Sequence, residues 1–191
     1  MIGGIVLAGG ASSRMGQPKA LLPLGGITML ERIVTLFQKH CTTICVVTGA
    51  HDRELREALP DFAPFLLHNA HYAAGMFSSL RTGLRHSSHC DRILFSPVDF
   101  AGVLPQTIEP LFESKAMVAK PRWQGQSGHP VLIGSDAIRA LLEAGLESNA
   151  KEILAGFPSQ YFDVDDRAVA EDCDTPEDYQ RLISWWRAAQ A

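Results

Sequence analysis

The sequence lacks most of what marks a membrane, extracellular or nucleic-acid-binding chain. No apolar run approaches the length needed to span a bilayer, and the opening Met1-Ile2-Gly3 does not start a signal peptide. Basic residues are not in excess: 17 Lys and Arg stand against 21 Asp and Glu, a formal charge of −4 with the histidines neutral. A basic face, the footprint of a nucleic-acid or anionic-membrane partner, is therefore not expected. Cysteine is scarce. Cys41, Cys45, Cys90 and Cys173 form no C-x-x-C pair and no metal-finger spacing. They read as small buried hydrophobes of a chain kept in a reducing cytoplasm. Repeats, low-complexity tracts and linkers are also missing, so residues 1–191 are expected to form one domain. With 46% hydrophobic and 20% charged residues, that domain has enough apolar mass for a packed core.

What is present is concentrated in one stretch. The apolar Ile5-Val6-Leu7 reads as the end of a buried first strand. It runs into Ala8-Gly9-Gly10-Ala11-Ser12-Ser13-Arg14-Met15-Gly16-Gln17-Pro18-Lys19. Gly9 and Gly10 permit backbone angles closed to other residues, so main-chain N–H groups there can converge on an anion. Arg14 offers a fork for phosphate oxygens and Lys19 a point charge. The stretch reads as a polyphosphate loop, yet it is neither of the two familiar ones. Gly16 is followed by Gln17-Pro18-Lys19 with no hydroxyl after the lysine, and Gly9 is followed by Gly10 rather than by G-x-G-x-x-G spacing.

The remaining elements follow in order. Thr28 and Glu31 form a capping box ahead of a helix over Met29–His40. Thr43–Thr48 is a β-branched strand ending at Gly49, and His51–Leu59 reads as a helix with a mostly solvated face. Pro64–His68 is a short strand. Asn69 follows, Gly75 makes a sharp turn, and Ser78 or Ser79 caps a helix over 79–85, whose N-terminus is a second anion-friendly spot. Arg92–Phe95 reads as a central strand. It delivers Asp99 to the carboxyl edge of the sheet, where open α/β folds bind ligands. A carboxylate there suits a hard cation beside phosphates, so Asp99 is the first candidate metal ligand. A helix over Leu104–Phe112 and a strand over Ala116–Lys120 come next. Gly125 and Gly128-His129-Pro130 then lead into a further strand. Helices over Asp136–Leu142 and Ala150–Ala155 and a strand over Gln160–Val164 follow. Thr175, Pro176 and Asp178 start a last helix, about Pro176–Ala189. Its Trp185 and Trp186 read as core or subunit contact.

The first loop is similar to L-A-[AG]-G-x-S-x-R-M-G-x-x-K-x-L-L-P, the signature of a family of α/β nucleotidyltransferases. Within them the chain resembles the MobA-like molybdenum cofactor cytidylyl- and guanylyltransferases. The stretches Asn69–Leu80 and Gly125–Leu132 extend the resemblance over nearly the whole chain. It implies a three-layer α/β/α sandwich with a mostly parallel, Rossmann-like sheet of the nucleotide-diphospho-sugar transferase type. It also implies a nucleotide site of Leu7, Ala8, Gly9, Gly10, Arg14, Lys19, Gly49, Asn69, Gly75 and Ser79, with Asn69 near the ribose or base. Asp174, just before the last helix cap, joins Asp99 on Mg²⁺, with Asp172 as the fallback. Gly128 and His129 lie on the acceptor side. On the same resemblance, Arg14, Lys19 and Asp99 are expected to carry catalysis. The implied reaction moves a nucleoside monophosphate from CTP or GTP to the terminal phosphate of molybdopterin and releases pyrophosphate, with a molybdoenzyme as downstream client. Leu7-Ala8-Gly9-Gly10 matches the guanylyl type, the later stretches the cytidylyl type, and the reading leans to CTP. A sugar- or alcohol-phosphate nucleotidyltransferase and a non-catalytic cofactor carrier are the alternatives. The paired carboxylates favour an enzyme.

Overall fold

Strand β1 (Ile2–Ala8) sends alternate side chains into two different cores. Val6 and Ala8 pack on one side of the sheet, and Ile5 and Leu7 on the other. A strand buried on both faces needs helices on both faces, and the chain supplies them. The computed structural model describes residues 1–145 and 147–190. After β1 come the small hairpin β2 (Pro23–Leu24) and β3 (Ile27–Thr28), α1 (Met29–Gln38), β4 (Thr43–Thr48), α2 (Asp52–Ala58), β5 (Leu66–His68) and α3 (Met76–His86). Then follow β6 (Arg92–Pro97), α4 (Pro105–Glu113), β7 (Val118–Trp123), β8 (Gln126–Ser127), β9 (Val131–Gly134), α5 (Ser135–Glu143), α6 (Ala150–Ala155), β10 (Ser159–Asp163) and α7 (Pro176–Ala189).

The main sheet runs β10-β7-β9-β6-β1-β4-β5, with β8 paired to β7. β1 pairs in parallel with β4 and β6, β4 with β5, and β7 with β10. Among the described residues of this sheet, β8 and β9 run antiparallel to their neighbours. Residues of α1, α2, α4 and α7 close one core, and those of α3, α5 and α6 the other. The architecture is thus the expected three-layer α/β/α sandwich with a mostly parallel sheet. On α1 the capping box is complete, and Ile33 and Phe37 are wholly buried. Each such side chain contributes about 1.5–3 kcal/mol on leaving water.

This topology fixes where the loops meet. β1, β4 and β6 end level with one another, with Leu7 opposite Pro97 and Ala8 opposite Thr48. Because β9 is antiparallel, its first residue, Val131, pairs with Phe95 near that same edge. The loops after β1, β4, β5 and β6 and the approach to β9 therefore share one rim.

Two expectations need correction. The helix expected to begin at Ser79 begins at Met76, and Gly75, at φ 96°, is its N-cap. Neither serine caps it. Ser78 bonds the carbonyls of His71 and Gly75, inside the helix start. The strand expected from Pro64 begins at Leu66, because Pro60–Phe65 winds as a 3₁₀ turn. All four cysteines are buried and unpaired, as read from their spacing.

Candidate active site

The loop after β1 folds over a cavity at the rim. Leu7, Ala8, Gly9, Gly10, Arg14, Lys19, Gly75, Ser79, Asp99 and Asp174 all line it. The glycines act differently from expectation. Gly9 and Gly10 do not adopt left-handed angles; Ser12 at φ 49° and Gly16 at φ 68° do. Gly9 is required by close approach instead, since a Cβ there would stand 2.9 Å from Ser79 Oγ. A Cβ on Gly10 would meet nothing within 4 Å. The turn is pinned by Ser12, whose carbonyl accepts from Met15 N (2.9 Å) and whose Oγ accepts from Lys19 N (3.2 Å). Among the described residues, the backbone N–H groups of 10–14 have no protein acceptor. A row of unused donors along a cavity wall is a nest for an anion.

Lys19 occupies the middle of the charged cluster. Its Nζ donates to Asp174 Oδ1 at 2.7 Å and lies 2.9 Å from Asp99 Oδ1. Arg14 Nη2 donates to the other oxygen, Asp174 Oδ2, at 2.6 Å. Asp99 arrives on the turn after β6, and Asp174 stands just before the Thr175–Asp178 capping box of α7. Burial pushes the Asp99 carboxyl up, opposed by the Lys19 charge and reinforced by Asp174 and Asp172. Asp174 is held down, chiefly by the bond from Lys19. Burial alone would lower the Lys19 ammonium, but its bond to Asp174 and the charge of Asp99 outweigh it and raise it. Arg14 is 67% exposed, so its ion pair adds little stability and its fork is free to turn to a ligand.

The same cluster suits a divalent cation. Asp99 Oδ1 is buried without a hydrogen bond, because the Lys19 ammonium lies at ion-pair distance but outside bonding geometry. An orphaned carboxylate oxygen beside a second carboxylate is a hard-donor set of the kind Mg²⁺ shares with phosphates. Asp174, which pairs with the same ammonium, is the candidate for the second carboxylate. Asp172 is exposed and makes no contact with Lys19.

Other expected site residues lie elsewhere. Asn69 is 3% exposed and does not line the cavity. Its amide donates to Ser78 Oγ and Ser79 Oγ and its carbonyl accepts from His71 N, so it stands behind the wall and fixes Ser79. Gly49 lies under the loop, where a Cβ would collide with the Gly9 carbonyl. Gly128 and His129 line a second cavity, which shares Leu7, Gly75 and Met76 with the first. A Cβ on Gly128 would collide with the Val169 carbonyl, the acceptor for His129 N. The His129 ring packs on Phe95 and Phe100, and burial pushes its pKa down to about 4.

Sequence reasoning missed His51, Tyr72 and Met76 on the first cavity. His51 reads as part of a mostly solvated helix face, but its Nε2 meets Ala11 O at 2.9 Å. Its position two residues after the strand-ending Gly49 was the available signal.

Residues 4–164 match the family model described as MobA-like NTP transferase domain. The chain is 26% identical to the molybdenum cofactor cytidylyltransferase of Escherichia coli, over 92% of each chain. It is 31% identical to the molybdenum cofactor guanylyltransferase of Rhizobium meliloti, over 82% of this chain and 74% of that one. Among solved structures, a nucleotidyl transferase from Methanothermobacter superposes with a TM-score of 0.84 at 25% identity, covering 99% of both chains. A Gly-rich loop, two carboxylates and a lysine gathered at one rim of an α/β/α sandwich agree with that match along the chain, and the protein belongs to the MobA-like NTP transferase family.

Proposed function

We propose that the protein transfers a nucleoside monophosphate from a nucleoside triphosphate to the terminal phosphate of a molybdopterin-type acceptor. CTP is the first choice of donor and GTP the second. The observation that carries this reading is the meeting of Lys19 with Asp99 and Asp174 beside the unused N–H groups of residues 10–14. An acceptor phosphate oxygen attacks the α-phosphorus, and the bond to the β-bridging oxygen breaks. Pyrophosphate leaves with that electron pair. The attacking phosphate is already ionised near neutral pH, so catalysis is mainly positioning and charge neutralisation.

Arg14 turns from Asp174 to the β- and γ-phosphates, and Lys19 meets the α-phosphate as charge shifts. Asp99 and Asp174 would hold Mg²⁺, and the chemistry it would supply is neutralisation of phosphate charge. Ser79, fixed by Asn69, and the backbone at Gly9 and Gly10 border the nucleoside. The second cavity, with Gly128 and neutral His129, takes the acceptor and adjoins the first at Leu7 and Gly75.

The test is a panel of nucleoside triphosphates with molybdopterin and Mg²⁺, reading pyrophosphate release. Release with CTP above GTP is expected. Release with sugar phosphates in place of molybdopterin would move the acceptor assignment, and no release with any acceptor would leave a carrier.

A further inference from the structure

The second cavity holds positive charge that its own walls do not balance. Lys120 stands in β7 between the buried Ala119 and Pro121. Alternation turns its side chain to the face of Val118, over the core formed with α3, α5 and α6. It lines the cavity with Lys151, Ser127, His129 and Asn149. Among the described residues, neither lysine ammonium has a carboxylate at ion-pair distance or a hydrogen-bond acceptor. Glu147 is the one carboxylate in the lining; it is exposed and pairs with neither. Burial pulls the Lys120 ammonium below its ordinary range, and the Lys151 charge adds to the effect. The first cavity is built differently, for its Arg14 and Lys19 are both matched to aspartates. A half-buried ammonium without a counter-charge is a standing cost to the fold. On a cavity wall it is the complement of an anion that arrives from outside.

We infer that Lys120 and Lys151 bind a second anionic group of the acceptor, at the end remote from the attacking phosphate. The inference rests on the reading that the second cavity takes the acceptor. Sheet order sets the span. β7 lies three strands from β1 through β9 and β6, so Lys120 stands roughly 14 Å across the sheet from Leu7 at ~4.8 Å per strand. The acceptor that fits is therefore a phosphate monoester long enough to carry a second anionic group at about that span. Lys120 and Lys151 are specificity residues and take no part in the bond exchange.

The experiment fills the first cavity with a non-hydrolysable nucleoside triphosphate and titrates molybdate and inorganic phosphate by calorimetry. The proteins compared are the parent, Lys120→Met, Lys151→Met and Lys120→Arg. Acceptor and nucleotide kinetics and thermal melts are measured alongside. Lys120→Met should bind the anions about tenfold more weakly, the scale of one charge-assisted contact, while Lys120→Arg keeps most of the affinity. Without anions Lys120→Met should melt no lower than the parent, because it removes an unpaired cation. Added molybdate should raise the melting temperature of the parent more than that of the variant. The acceptor KM should rise about tenfold, with the nucleotide KM and kcat unchanged. A parent that binds neither anion, or a Lys120→Met protein that binds them equally well, would overturn the inference. Loss of anion binding in Lys120→Met, with no transfer to molybdopterin by the parent, would uphold the anion site and reject the acceptor reading.

Discussion

Lys19 Nζ lies 2.7 Å from Asp174 Oδ1, a contact that closes 155 residues of chain. The same ammonium reaches Asp99, so one cation separates two carboxylates brought in from different strands and loops.

Lys19→Ala should lower turnover by ~10²–10³-fold, the scale for loss of one preorganised electrostatic donor. Steady-state pyrophosphate release measures it. Activity within a few-fold of the parent would remove Lys19 from the chemistry.

Asp99→Asn and Asp174→Asn should each cut turnover steeply, while the double variant is little worse than the poorer single one. Two carboxylates that hold one cation fail together. Turnover against Mg²⁺ concentration in all four proteins is the readout. Additive losses, or an Mg²⁺ dependence untouched by Asp174→Asn, would reduce Asp174 to a residue that only starts a helix.

Gly10→Ala and Gly49→Ala should differ in kind. A methyl on Gly10 has open space and should fold normally, narrowing the approach to the base and disfavouring GTP more than CTP. A methyl on Gly49 collides with the loop at Gly9 and should lower the melting temperature and the affinity for both nucleotides. Competition between CTP and GTP, with melts, separates the two. An unchanged CTP:GTP ratio in Gly10→Ala would show that this glycine does not read the base.

Acid should destabilise the protein through His129. Its folded pKa is about 4 against an ordinary 6.5, so the unfolded chain takes up a proton first. The stabilisation is complete above pH 6.5 and is lost as pH falls toward 4, by at most about 3 kcal/mol. Asp174, held below its ordinary value, gives a loss of the same sign at lower pH. Urea melts of the parent and His129→Gln between pH 7 and 4 should show a shallower slope in the variant. Identical slopes would place the titration elsewhere.

Most elements, and the make-up of the first loop, are legible in local pattern. The apolar run of β1, the β-branched run of β4, the capping boxes at Thr28 and Thr175, and the glycine stop after β4 are local, and each formed within a few residues of expectation. The first loop was legible because its residue types sit close together in the chain. Which groups meet is set by packing. The place of Asp174 before the last helix cap and the family resemblance already put it ahead of Asp172, but only the folded chain brings Asp174 onto Lys19. Spacing did not show that Asn69 turns inward to hold Ser79, or that Lys120 lacks a partner. Those outcomes depend on sheet order and on which face each strand residue presents, set by packing between segments remote in sequence.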